Sequence, residues 1–212
     1  MNTTILNQII RRMSTSRPYF YSEADFQQNL ANELRKAGYT VFLEYPLGGY
    51  HIDIILEDKG MFYPIELKYK TCLTKCLDLF KNIISLKNHG ASDLARYSLW
   101  KDVYKIEQVK AKYREERISE GYAVILTNDK KLWKMKASSG IDRLFELFQS
   151  HQVNKVEWIG TKYAPDYQTG KTWYRAFPLS KIYTVPQWND YSTGVGLTNK
   201  PKMNFKFLTI TV

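Results

Sequence analysis

Apolar residues at i, i+4 and i+8 mark the clearest early element: Phe26, Leu30 and Leu34 within SEADFQQNLANELRKAG predict an amphipathic helix, N-capped by Ser22 and stopped by Gly38. Ile5, Ile9 and Ile10 show helical spacing in a shorter segment that ends near Ser14. The period then changes. TVFLEYPL reads as a strand that passes through Gly48-Gly49 into YHIDIIL, and the turn-like Glu57-Asp58-Lys59-Gly60 joins YHIDIIL to MFYPIELKYK. With Lys59-Gly60 as a two-residue loop, Asp58 faces Met61. Alternation then puts Tyr50, Ile52, Ile54, Leu56, Met61, Tyr63, Ile65, Leu67 and Tyr69 on one apolar face. The other face carries His51, Asp53, Ile55, Phe62, Pro64, Glu66, Lys68 and Lys70, with Asp53 directly opposite Glu66. A half-buried sheet with a charged corner is the expectation; an odd loop or a bulge would move Glu66 away from Asp53.

Residues 71–90 are mixed, with short helical patches and a loop near Asn88-His89-Gly90. A long helix is predicted from Ser92 to Ile118 on the spacing of Leu99, Val103, Ile106 and Tyr113. GYAVILTND follows as a buried strand. Its helix-linked return predicts a parallel or mixed addition to the sheet. Ser139 to Gln149 reads as another amphipathic helix, on Ile141, Leu144, Phe145 and Phe148, and strands are predicted at KVEWIG and NFKFLTITV. The pattern predicts an α/β (α+β) domain with a mixed sheet flanked by helices. Residues 1–150 form its core and 151–212 a β-rich extension of the same domain.

Composition narrows the partners. A chain of 212 residues allows one well-cored domain and disfavours two large independent ones. Its net charge of +10 suits polyanionic partners, of which nucleic acid is the commonest, and suits a basic surface with no partner about equally. No segment approaches the roughly 20 apolar residues that cross a bilayer, and MNTTILNQIIRRM lacks the features of a signal peptide, so a cytoplasmic protein without a membrane partner is expected. Cys72 and Cys76 are the only cysteines; with His89 they fall short of a four-ligand zinc site and read as reduced thiols. Trp158, Trp173 and Trp188 are candidates for stacking on bases, with core packing the simpler reading.

Asp53, Glu66 and Lys68 are the residues that carry chemistry. Two carboxylates and a lysine on one strand face are what a metal-dependent phosphodiester-cleaving site requires; the simpler alternative is a salt-bridged strand pair. Glu23, in the first turn of its helix, is either a complement to the helix dipole or a further acid delivered to the charged corner. Glu44 faces solvent or helps to complete an acidic site. The succession of a helix with Glu23, a strand, a strand with Asp53, a strand with Glu66-Leu67-Lys68, a helix and a strand resembles the PD-(D/E)XK nuclease superfamily, the restriction-endonuclease-like fold. The likeness spans about residues 20 to 130 and includes NHGASDLARYSLWKDVYKIE, which looks like the long helix after the ELK strand in uncharacterised members. Ile52 stands where the family's name has proline.

The resemblance implies an enzyme that hydrolyses phosphodiester bonds, in DNA first. Asp53, Glu66 and the Leu67 carbonyl would hold Mg²⁺, with Mn²⁺ as a substitute. Lys68 would position or deprotonate the attacking water, and Glu23 would polarise the site or assist a second metal. Lys70 would contact a neighbouring phosphate. Independently of the resemblance, the position of Arg96 on the long helix suits a phosphate contact, and Asp102 and Glu107, on the same helix, read as members of structural ion pairs. A homodimer is compatible with the resemblance. The alternatives are a catalytically inactive nucleic-acid-binding or assembly protein with the same fold, and an RNA-processing nuclease.

Overall fold

The structure is a computed structural model that describes residues 1–78, 80–113, 117–135, 140–160, 175–197 and 202–212. Two helices, α1 (Thr3–Met13) and α2 (Glu23–Lys36), precede three strands, β1 (Thr40–Leu47), β2 (Tyr50–Asp58) and β3 (Met61–Lys70). A small hairpin of β4 (Thr74–Leu77) and β5 (Ile83–Leu86) leads to the long helix α3 (Ser92–Lys112) and to β6 (Tyr122–Thr127). The chain ends with β7 (Gln152–Val156), β8 (Phe177–Thr184), β9 (Asn189–Val195) and β10 (Met203–Thr211). Six strands form one mixed sheet in the order β1-β2-β3-β6-β10-β9. Among the described residues only β3 and β6 run parallel within it, joined by the α3 crossover. Among the described residues no helix is long and apolar enough to cross a membrane.

Local sequence sets the early elements. The Ser22 side chain accepts from the Asp25 N–H at the start of α2, and Gly38 follows that helix with a left-handed φ of 92°. Replacing this cap by Ser22→Ala is expected to cost about 1 kcal/mol in urea denaturation, because one N-terminal donor loses its partner. Asp25 accepts from the Tyr21 N–H and pairs with Arg17, the structural role its place in the first turn suggests. Lys59 and Gly60 both take positive φ, as a two-residue primed turn requires, and Asp58 pairs with Met61 as the sequence predicts.

Both faces of the sheet are covered, so the expectation of a half-buried sheet is corrected. On one face Leu6, Ile10, Phe26, Leu30 and Leu34 of α1 and α2 pack on Ile54, Leu56, Ile65, Leu67, Val124 and Phe207. On the other, Trp100, Val103 and Ile106 of α3 pack on Ala123, Ile125, Leu208 and Ile210, with Val153, Val156 and Tyr183 of the β7–β8 hairpin. A parallel pair needs a crossover, and the crossover helix lies on the face that the charged corner occupies. β10 lies between β6 and β9, so the tail supplies two strands of the central sheet. Trp158 and Trp188 are core residues in that tail, and Trp173 lies outside the described residues.

Two helical expectations give way to other structure. Thr74–Leu77 and Ile83–Leu86 pair as the β4–β5 hairpin, and between them the Asp78 carboxylate accepts from the Phe80 and Asn82 N–H groups. Between Gly140 and Gln149 only a 3₁₀ turn forms, at Arg143–Phe145. There the Trp100 indole donates to the Phe145 carbonyl and the Trp188 indole to that of Leu147, so side chains take up carbonyls that a helix ladder would have used.

Candidate functional site

The β2–β3 ladder runs from Asp58–Met61 to Ile54–Ile65 and stops there. Among the described residues β3 pairs beyond it only with β6, from Ile65–Tyr122 to Lys70–Thr127, and no strand takes its other edge. Side chains fill that edge. The Leu67 N–H donates to Asp53 Oδ2 at 2.6 Å, and the next outward N–H, that of Tyr69, donates to Glu23 Oε2 at 2.8 Å. Two carboxylates thus take the place of the missing strand, and the Leu67 carbonyl, on the same side of the chain as its N–H, opens into the fork between them. The pairing expected between Asp53 and Glu66 is not part of the ladder; the Asp53 carboxylate reaches across to the backbone of Leu67 instead.

The fork also turns the strands over. The β1–β2 ladder skips the level of Glu44 and Asp53, and Glu44 takes a left-handed φ of 48°. Inward of that level Ile54 faces α1 and α2; outward of it Ile52 joins Ile55 and Val109 on the α3 side. The single apolar face predicted to run from Tyr50 to Leu56 is therefore broken at Asp53. Gln27 of α2 fastens the break, its Nε2 donating to Glu44 Oε1 and to the Asp53 carbonyl, each at 2.7 Å.

Glu66 and Lys68 face α3, and α3 answers them with charge. Lys68 Nζ lies 3.0 Å from Asp102 Oδ2 and donates to the Leu67 carbonyl at 3.1 Å. Lys105 Nζ lies 2.5 Å from Glu66 Oε2 and donates to the His51 carbonyl at 2.9 Å. Four carboxylates (Glu23, Asp53, Glu66 and Asp102) thus meet two ammonium groups, those of Lys68 and Lys105. Burial, then Asp102 and Asp53, push the Glu66 carboxyl up to about 8 against the opposing Lys105. Burial also raises Asp102, against Lys68, and Glu23, against Lys68 and the Tyr69 N–H. Burial alone would lower Lys68, but Asp102 and Glu23 outweigh it and hold its ammonium above the ordinary range.

Among the described residues these carboxylates outnumber the ammonium groups that meet them. Glu66 Oε1 is buried without a hydrogen-bond partner, which is costly unless a cation or donor meets it. Among the described residues no three His, Cys, Asp or Glu side chains form a metal-holding group. Asp53, Glu66 and the Leu67 carbonyl are the two-carboxylate, one-carbonyl oxygen set that suits Mg²⁺, an ion that keeps several of its waters. The donor chemistry, the orphaned oxygen and the excess of acid fit a hard divalent cation.

Of the other predicted residues, Lys70 lines the adjoining cleft, but its ammonium donates to the His89 and Ala91 carbonyls. Arg96 is corrected outright: it is fully buried, paired with Asp142 at 2.6 Å and bonded to the Lys131 carbonyl, and presents nothing to a phosphate. Glu107 makes hydrogen bonds, accepting from the Ser180 N–H and the Tyr183 hydroxyl. Asp102 does form an ion pair, but with Lys68 and inside the site. Sequence reading missed Gln27, Asp102 and Lys105 as site members. The signal for the last two was the stripe Ser98, Asp102 and Lys105, which keeps polar groups on one side of a helix otherwise rich in core residues.

Beside the fork, at the C-terminal end of β3, lies a cleft of about 440 Å³. Glu23, Lys68, Lys70 and Lys87 supply its charged lining, with His89 beside them. Comparison with protein-family models, with curated proteins and with solved structures returns no match for this chain.

Proposed function

We propose that the protein is a Mg²⁺-dependent nuclease of the PD-(D/E)XK, restriction-endonuclease-like kind, hydrolysing phosphodiester bonds, with DNA as the leading substrate. The observation that carries this reading is the fork itself: Asp53 and Glu23 on the open edge of β3, beside Glu66 with its orphaned oxygen and the Lys68 ammonium. The chain order α2, β1, β2, β3, α3, β6, with β3 and β6 parallel, supports it at the level of fold. Fold alone does not assign chemistry, so the weight rests on these side chains.

Asp53, Glu66 and the Leu67 carbonyl would hold the ion. Bound there, Mg²⁺ supplies Lewis acidity toward a phosphoryl oxygen and eases ionisation of the attacking water. Lys68, held protonated by Asp102 and Glu23, is suited to orient that water and to offset the negative charge that grows on phosphorus, more than to remove a proton. Glu23 fixes the outer edge of the site through the Tyr69 N–H, and Gln27 holds the Asp53 backbone.

The test is cleavage of plasmid, linear duplex, single-stranded DNA and RNA with Mg²⁺ or Mn²⁺, beside an EDTA control. Cleavage that requires the divalent ion is expected. Salt-dependent binding with no cleavage of any substrate would replace this reading with that of an inactive nucleic-acid-binding protein.

A further inference from the structure

The β4–β5 hairpin, which Lys87 follows into the lining of the cleft, turns apolar side chains to solvent. Phe80, in its turn, is 84% exposed, and Leu77 and Ile83, paired across the strands behind it, are 48% and 63% exposed. The inner face is anchored: Cys76 and Leu86 are buried in the core, and the Tyr19 hydroxyl donates to the Leu77 carbonyl at 2.6 Å. Asp78 fixes the turn backbone on either side of Phe80. A hairpin anchored on its inner face that holds an aromatic ring in water suits a docking element, because the exposure gains nothing for the fold.

Tyr21 connects this hairpin to the candidate site. Its ring, 49% exposed, lines both the cleft beside the fork and a second hollow of about 430 Å³ under Phe80. Lys87 and His89 line the cleft between them. The Thr71 N–H donates to His89 Nδ1, so the neutral ring carries its proton on Nε2, as a donor. A track therefore runs from the carboxylate fork past basic groups to two exposed aromatic rings.

We propose that this track binds a single strand of nucleic acid, with Tyr21 and Phe80 stacking on unpaired bases and Lys87 and His89 meeting the backbone phosphates. The proposal rests on the nuclease reading for the fork and adds the substrate class. A duplex turns its sugar-phosphate backbone outward and stacks its bases inside, so apolar rings next to the fork would find no partner on it. A single strand offers both faces at once, and base–aromatic stacking beside a basic groove is how such strands are held. Charge complementarity with the cleft favours this occupant over a neutral protein surface.

The test is fluorescence anisotropy in EDTA with a labelled single strand of about 20 nucleotides and a blunt duplex of the same sequence, for wild type, Tyr21→Ala, Phe80→Ala and Lys87→Ala. The single strand is expected to bind at least about tenfold tighter than the duplex, and each aromatic substitution to weaken it about tenfold with duplex binding unchanged. Lys87→Ala is expected to reduce the salt dependence of single-strand binding by about one phosphate contact. Phe80 is exposed, so its variant leaves the core intact. Equal affinity for the two substrates, or undiminished single-strand affinity in Phe80→Ala and Tyr21→Ala, overturns the proposal. So does a Phe80→Ala variant that changes only self-association by sedimentation. If metal-dependent cleavage persists in that case, the nuclease reading stands; if single-strand binding follows the expected pattern and no substrate is cleaved, the binding track stands and the nuclease reading falls.

Discussion

Asp53→Asn is expected to reduce Mg²⁺-dependent cleavage by about a hundred- to a thousandfold, the scale on which loss of one preorganised electrostatic group is felt, while leaving the protein at least as stable as wild type. The two halves of this expectation have separate causes. An asparagine carbonyl oxygen can still accept from the Leu67 N–H, and the Gln27 bond is made to the backbone of residue 53, so the fork keeps its shape. What disappears is a negative charge that bears on Glu66 and Asp102. The protein loses a ligand and a source of repulsion together. Lys68→Ala would separate these less cleanly, since it strips a buried Asp102 of its counter-charge, a change that typically costs about 3–5 kcal/mol. Initial rates and urea melts of Asp53→Asn provide the check. A variant that cleaves within tenfold of wild type would remove Asp53 from the catalytic set.

The elements around the site were legible to different depths. Parity in the hairpin followed from Lys59-Gly60, because a two-residue loop leaves no freedom in which residues face each other, and pairing holds down to Ile54–Ile65. Past that level parity misleads: Ile52 changes sides because Glu44 turns left-handed and the Asp53 carboxylate, not a strand, meets β3. Periodicity describes a ladder, and the candidate site lies where the ladder ends. Arg96 shows a different failure. It precedes Leu99 and Val103 by three and seven residues, on their buried stripe, so its burial was readable; its partner Asp142, 46 residues away, was not. The turn of β4–β5 depends on Asp78 folding back onto Phe80 and Asn82, a local competition that apolar spacing does not register. Asp102 and Lys105 had the right helical spacing, but only the packing of α3 on the charged face makes them part of the site.

Without divalent ions, stability is expected to fall as pH rises from 5 to 8.5, and Mg²⁺ is expected to restore progressively more of it as the pH increases. Glu66 fixes the sign. Its carboxyl, ordinarily at 4.5, is raised to about 8 in the fold, so between these values the unfolded chain has released a proton that the folded chain retains. The contribution of Glu66 is therefore fully present below the ordinary carboxylate range and is lost as pH climbs toward 8. At up to about 1.4 kcal/mol per pH unit for one proton, the loss over this interval is on the order of 2–4 kcal/mol, and the raised Asp102 and Glu23 act in the same direction. Mg²⁺ competes with the proton for Glu66, so its binding must release that proton and must strengthen as pH rises. Thermal melts are expected to show little effect of Mg²⁺ at pH 5.5 and a rise of about 5 °C or more at pH 8.5. Glu66→Gln removes the titrating group while keeping an oxygen for Lys105. It should be more stable than wild type at pH 8.5 without metal, flatter in its pH dependence and nearly indifferent to Mg²⁺. A Mg²⁺ effect equal at the two pH values, or retained in Glu66→Gln, would place the ion elsewhere and leave the orphaned oxygen of Glu66 without a role.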